Sequence, residues 1–328
     1  MWRGACTIAL VALVAPPSLA ANETLLAAQQ ATPDTPETLA VDQATLLELG
    51  QTQSRLTVPV TIGDSRPYGF IIDTGAERTV VSRELAHVLN LQRGPDVNLT
   101  AVTGTELVRT VRVPEIAVTP LAANAILAPE LEARHMGAPG ILGIDMLQDH
   151  KVSIDFSKNI MEVRPSKHRV RSYVPAAPNE IVVRARDVFG QLIVTEARYG
   201  NRRIKVIVDT GAAVTVGNSA FARLMHAGKR GNIIPVESVT GNTLYLDYGM
   251  VSGVSIGGVG FNDLPVAIAD IAPFRKFGMG STPALLLGMD AMRAFRNVTI
   301  DFANREIRFT MPDGSMTPEM GRWSVAPS

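Results

Sequence analysis

The chain has 328 residues, 46% of them hydrophobic and 19% charged, enough for two ordinary domains that each bury a core. Its 31 basic and 31 acidic residues cancel without forming a dense basic block, which excludes the broad positive footprint of a nucleic-acid binder. An aromatic content of 5% argues equally against base-stacking platforms.

Residues 1–20, MWRGACTIALVALVAPPSLA, read as a secretory signal peptide. Arg3 supplies the positive start, Ala5–Val14 the apolar run and Ser18-Leu19-Ala20 a small-residue cleavage pattern. The run is too short to span a bilayer comfortably, so an uncleaved anchor is the weaker reading. The expected destination is therefore export, periplasmic or secreted, with no membrane span in the mature chain. Cleavage near Ala20 removes Cys6, the only cysteine, and with it any disulfide or thiolate metal site. Residues 21–54, rich in Ala, Thr, Gln and Pro, read as a flexible tail or tether.

From residue 55 the pattern becomes short apolar alternations separated by turn residues. LTVPVTIGDSRPYGFII predicts strand, turn at Gly63-Asp64, and strand, and it runs into FIIDTGAERTVVS at Phe70–Ser82. VTGTELV (Val102–Val108) predicts a glycine turn between strands. ILGIDML (Ile141–Leu147) and the hairpin-like VSIDFSKNIMEV (Val152–Val163) follow. A basic, Pro-containing stretch at 166–180 reads as an exposed linker.

After the linker every block returns in the same order. LIVTEARYGNRRIKVIV leads into VIVDTGAAVTVGN (Val206–Asn218), then VTGNTLY (Val239–Tyr245), LLGMDAM (Leu286–Met292) and VTIDFANREIRF (Val298–Phe309). Such a repeat predicts two similar β-rich lobes, 55–165 and 181–311, each with one brief helix after its second glycine motif, and a C-terminal tail at 312–328.

These residues resemble the aspartic proteases, most closely the retropepsin-like branch. The likeness rests on the apolar run into Asp-Thr-Gly-Ala, the later Thr-Gly turn and the apolar-apolar-Gly element, each present twice. It covers everything except the leader, tails and linker. It implies an all-β fold of two tandem retropepsin-like β-barrel lobes with pseudo-twofold symmetry, fused in one chain as in the pepsin-like members. A monomer with an internal pseudodimer is the expected state.

The resemblance makes Asp73 and Asp209 the catalytic pair, and the chemistry explains why the loop occurs twice. Hydrolysing an amide without metal or covalent intermediate needs one group to activate water and another to polarise the carbonyl. Two adjacent carboxylates sharing one proton do both, because like charges at hydrogen-bond distance resist double ionisation. No cofactor and no metal is implied. Gly75 and Gly211 leave room for backbone N–H groups to reach the carboxylates. By resemblance, Thr74 and Thr210 hydrogen-bond across the lobe interface, and Thr79 and Thr215 stabilise each loop from within, with ordinary turn threonines as the alternative. The same resemblance makes Thr103-Gly104 and Thr240-Gly241 the flap candidates, over a polypeptide substrate expected to bind as an extended strand. Tyr245 and Tyr248, near the second tip, read as strand-packing residues before cleft-lining ones.

The sequence departs from the family pattern in two places. Pepsin-type enzymes carry Ser or Thr after the loop glycine, a donor to the ionised aspartate, where this chain has Ala76 and Ala212. Losing that donor raises the carboxylate pKa and predicts a less acidic optimum than pepsin's. Retropepsins favour Asp two residues after the glycine, facing the substrate backbone, where this chain has Glu77 and Ala213. The cleft is thus expected to be asymmetric.

The five histidines are scattered without metal-ligand spacing. Asp145, Asp155, Asp290 and Asp301 also recur between the copies and read as helix-start or strand-turn residues. The competing reading of the whole is a non-catalytic peptide-binding module that keeps the protease fold.

Overall fold

The computed structural model describes residues 55–118, 121–168, 179–188, 191–225 and 232–312, with short backbone segments at 6–7, 11–12, 45–48, 50–52 and 323–325. Most of the expected signal peptide and tail, linker residues 169–178 and residues 313–322 lie outside the described residues.

Alternating apolar residues curl each lobe's sheet around its own interior. In the first lobe Arg55–Ile62 turns at Gly63, whose φ of 53° suits glycine, and pairs back on Tyr68–Ile72. Gly140–Leu142 lies parallel to Tyr68–Ile72 and antiparallel to Val80–Ser82, which runs parallel to Leu121–Leu131. Thr110–Val118 joins that last strand to Arg55–Ile62 and closes a six-stranded barrel. Val58, Val60, Phe70, Ile72, Val113 and Ile116 fill it.

The second lobe repeats the circuit through Gln191–Tyr199, Arg202–Val208, Ala284–Leu287, Val216–Gly217, Leu264–Ile268 and Thr243–Val251. Val254–Ile256 carries the last strand past Gly253 and returns to Ala197–Tyr199.

Between the barrels lies a sheet to which both lobes contribute. His150–Asp155 pairs with Asn297–Asp301, flanked by Ile160–Pro165 on one side and by Glu306–Thr310 and Glu180–Val188 on the other. Val152 faces Ile300 and Ile154 faces Val298, so equivalent residues exchange places across Ser153 and Thr299, whose hydroxyls meet at 2.8 Å. A pseudo-twofold axis passes through that pair. Thr45–Glu48 adds to the edge at Ile160–Val163, and Gly50–Thr52 pairs with Arg55–Thr57, so the end of the segment read as a tail joins the fold.

Helices are short and more numerous than expected. Ile144–Met146 and Met289–Met292 follow the second glycine motifs as predicted. Arg83–Val88 and Ser219–Ala222, after the Asp-Thr-Gly loops, were not foreseen, although Ser82 and Asn218 cap them by accepting from Leu85 N and Phe221 N. Ala133–Met136 and Ala272–Lys276, later in each lobe, were also missed. Among the described residues no helix is long and apolar enough to cross a membrane.

Candidate active site

Each Asp-Thr-Gly loop begins where a buried strand stops. Phe70, Ile71 and Ile72 are sealed in the first lobe, and Val206, Ile207 and Val208 in the second. The apolar-apolar-Gly strand beside each loop fixes its position. Asp73 N donates to Leu142 O at 3.0 Å, and Asp209 N to Leu287 O at 3.1 Å. Gly143 and Gly288 are required for this approach, since a Cβ would stand 2.5 Å from Arg78 C and 2.6 Å from Val214 C respectively.

The two loops lock together through Thr74 and Thr210. Each backbone N–H donates to the other threonine's hydroxyl oxygen at 3.0 Å. Those hydroxyls in turn donate to Val208 O (3.0 Å) and Ile72 O (2.9 Å) in the opposite lobe.

That lock sets the carboxyls against each other. Asp73 and Asp209 are both fully buried. The inner oxygen Oδ1 of Asp73 accepts from Gly75 N (2.7 Å) and Ala76 N (3.0 Å), and Asp209 Oδ1 accepts from Gly211 N (2.8 Å). Burial, then the charge of Asp73, then hydrogen bonding with Asp73, hold the Asp209 carboxyl well above the usual carboxylate range. Asp209 Oδ2 is buried where no N–H or hydroxyl donor reaches it. A single proton held between the two carboxyls satisfies that oxygen and removes the like-charge repulsion.

The site is thus a pair of buried carboxyls, one from each lobe, and comparison with known families gives it a name. Residues 58–149 match the family model of the gag-polyprotein aspartyl protease, and residues 195–291 match that of the aspartyl protease. The chain belongs to the aspartic protease family, as two tandem domains in one polypeptide. No curated protein matches the chain.

Within these protease lobes Thr79 and Thr215 bond to residues whose part the sequence did not disclose. Thr79 Oγ1 donates to Asp145 Oδ1 (2.8 Å) and accepts from Gly143 N (3.1 Å). Thr215 Oγ1 donates to Asp290 Oδ1 (2.7 Å) and accepts from Gly288 N (3.1 Å). Asp145 and Asp290, read as helix-start or strand-turn residues, sit in the first turns of short helices, and the recurrence of the pair was the signal for their second contact.

The two Thr-Gly tips meet each other. Thr103 Oγ1 lies 3.4 Å from Thr240 Oγ1 and 3.3 Å from Ser238 Oγ, and Asn242 Nδ2 donates to Glu106 Oε1 at 2.8 Å. Gly104 and Gly241 take φ of 147° and 90°. Each flap also inserts a valine into the opposite lobe. Val102 packs with Ile207, Ala212 and Phe274, and Val239 with Ala76, Leu99 and Ile141. Each flap is gripped by the other lobe's short helix: Ala272 N donates to Val102 O (3.3 Å), and His135 Nδ1 meets Glu237 Oε1 at 2.7 Å.

Glu77, implied by resemblance to face the substrate backbone, forms an ion pair across the cleft with Lys276 at the end of helix Ala272–Lys276. Ala213 offers no counterpart, so the two ends of the cleft differ. Tyr245 is 74% exposed, and Tyr248 packs partly buried against the second-lobe core, so neither is drawn into the dyad.

The outer edges of the flap hairpins accept strands. Cys6–Thr7 pairs parallel with Leu99–Thr100, and Val11–Ala12 pairs antiparallel with Glu237–Ser238.

Proposed function

We propose that the protein is an exported aspartic endopeptidase that cleaves extended polypeptides at a single site between its lobes. The observation that carries this reading is the fully buried Asp73–Asp209 pair, with Asp209 pushed upward by burial and by Asp73's charge. A relic kept for binding has no need of two facing carboxyls desolvated in this way.

In the reaction the ionised member of the dyad takes a proton from water as its oxygen attacks the scissile carbonyl carbon. The protonated member gives its hydrogen to the carbonyl oxygen, so the tetrahedral adduct forms without a buried oxyanion. Collapse breaks the C–N bond as the nitrogen receives the proton first taken from water, while one hydroxyl of the adduct returns its proton to the carboxylate that had protonated the carbonyl, which restores the dyad. Backbone donors on each inner oxygen hold the carboxyls in place through these steps, and the Thr74–Thr210 lock keeps their spacing. The flaps, whose edges pair with extended chain, support a strand-bound polypeptide as substrate.

The test is to incubate the chain with a diverse peptide library across pH, beside Asp73→Asn and Asp209→Asn, and to read products by mass spectrometry. Cleavage by the unaltered chain and none by either variant is expected. Equal products from all three, or products from none, would reject the reading. The signal-peptide and export expectation is tested separately by N-terminal sequencing of secreted or periplasmic material.

A further inference from the structure

Two residues beyond each loop glycine the lobes differ in charge, with Glu77 in the first and Ala213 in the second. Glu77 belongs to the loop of Asp73, directly after Ala76, whose N–H donates to Asp73 Oδ1 at 3.0 Å. Its partner comes from the other lobe. Lys276 ends helix Ala272–Lys276, whose first N–H donates to Val102 O at 3.3 Å and whose Phe274 packs with Val102. Arg275, the other basic residue of the last turn, is directed back to the helix start, where its Nη1 donates to Asp270 O at 2.7 Å. Lys276 reaches the loop and forms an ion pair with Glu77. The pair thus stands between the Asp73 loop and the helix that holds the Val102-Thr103-Gly104 turn. The matching helix of the first lobe, Ala133–Met136, ends instead in a fully buried methionine. One flank of the cleft carries a charged pair, and its counterpart carries a methyl group and a buried thioether.

We propose that Lys276 is a specificity-determining residue, which makes this one flank select substrates with an acidic side chain near the scissile bond. The inference rests on the peptidase reading above and adds a substrate class to it.

The sign follows from what each partner can take in exchange. A peptide passing the loop brings backbone N–H groups as well as side chains, and a carboxylate accepts them. The ammonium of Lys276, on a flexible four-carbon stem, can follow a substrate carboxylate while Glu77 turns to a substrate N–H. One ion pair is then replaced by another, and no charge is left unmatched. A basic side chain offers no such exchange, because it sets a second cation beside Lys276 with one carboxylate between them. Side-chain exposures of 16% for Glu77 and 19% for Lys276 keep this difference from being screened as it would be in open water. The chain's 31 basic and 31 acidic residues cancel, so no general field overrides the local one.

Two measurements decide the matter, both on the full chain at pH 7. In the first, a randomised decapeptide library is digested, and Asp, Glu, Lys and Arg are scored at each position around the cuts. The unaltered chain should show Asp and Glu enriched about fivefold at one position, the worth of a partly exposed ion pair. Lys276→Glu should replace that preference by Lys and Arg at the same position. Glu77→Gln should sharpen the preference for acid, since it removes the carboxylate that competes for Lys276. A pair that served only as a strut between lobes would weaken cleavage in both variants without moving the charge preference, and that result overturns the proposal.

The second measurement needs no cleavage. The Asp73→Asn/Asp209→Asn chain, with and without Lys276→Glu, is titrated with rhodamine-labelled random decapeptide pools that carry one Asp or one Lys, and binding is read by fluorescence anisotropy. The Asp pool should bind about threefold more tightly, the same pair interaction spread over random positions, and Lys276→Glu should reverse the order. Equal binding of the two pools, binding of neither, or an order that survives the substitution overturns the proposal. The expected order of binding without any cleavage by the unaltered chain counts against the peptidase reading alone.

Discussion

The carboxyl of Asp73 occupies the place where a side chain on Gly211 would stand. A Cβ there would lie 2.2 Å from Asp73 Cγ and 2.4 Å from both carboxyl oxygens. The glycine of one lobe's motif is thus the seat of the other lobe's aspartate carboxyl. Gly211→Ala must displace either the second loop or Asp73 itself. It is expected to lower kcat about 100-fold, the cost of a misplacement near 1 Å, and stability by about 1–3 kcal/mol. Gly280→Ala, whose Cβ would meet only Arg275 Cγ at 3.8 Å, is the neutral control. Turnover and thermal melting of the two variants check the pair.

Asp209 links activity to instability. Its carboxyl is raised above the ordinary value by burial, then by Asp73. The native state therefore binds a proton more tightly than the unfolded chain, and stability falls as pH rises from the ordinary carboxylate range through the raised value. Asp209→Asn removes that loss and keeps an oxygen for the Gly211 N–H. The variant should be inactive yet melt several degrees higher than the unaltered chain at pH 8, with the difference vanishing near pH 4. Melting curves at the two pH values check the sign. A variant less stable at pH 8 contradicts it.

Ala76 and Ala212 set the other limit of the pH response. Both are fully buried, each with its N–H turned to its own aspartate and its methyl in an apolar cluster. A serine hydroxyl at either place adds a donor to the ionised carboxyl, which favours the charged form. The Ala76→Ser/Ala212→Ser chain should move the alkaline limb of kcat/KM to lower pH by about one unit. An unmoved limb would show that burial and carboxyl–carboxyl repulsion alone govern the dyad.

Sequence alone reached the lobes, the dyad and the interlobe threonines because those features are written twice, in the same order, around motifs that tolerate little variation in backbone. Gly143 and Gly288, for instance, pack against loop backbone that would strike a Cβ. What escaped were contacts between residues far apart in the chain with no motif of their own. The Glu77–Lys276 pair joins residues from different lobes, and nothing near Lys276 marks it as a partner. The helix at Arg83–Val88 was signalled by Ser82 at its cap, but its brevity left too few turns for an apolar periodicity to show. Asp145 and Asp290 were seen to recur and were read as helix-start or strand-turn residues; they stand in first turns of short helices. Their bonds to Thr79 and Thr215 depend on the strand beneath each loop, which only the fold brings near.

The reciprocal flap valines make opening of the cleft a matter of unpacking. Val102 is 3% exposed among second-lobe residues and Val239 is fully buried among first-lobe residues, so neither flap lifts without leaving a void in the opposite lobe. Val102→Ala and Val239→Ala each weaken that hold. Each should cost about 1–3 kcal/mol of stability as a core truncation does. Unlike a truncation deep in a barrel, each should also raise hydrogen exchange at the Gly75 and Gly211 amides under native conditions, because the dyad is uncovered more often. Leu107→Ala, on the same hairpin but 68% exposed, should change neither quantity. Exchange rates at the two loop amides decide the point: protection equal to that of the unaltered chain would mean that the flaps open without withdrawing their valines.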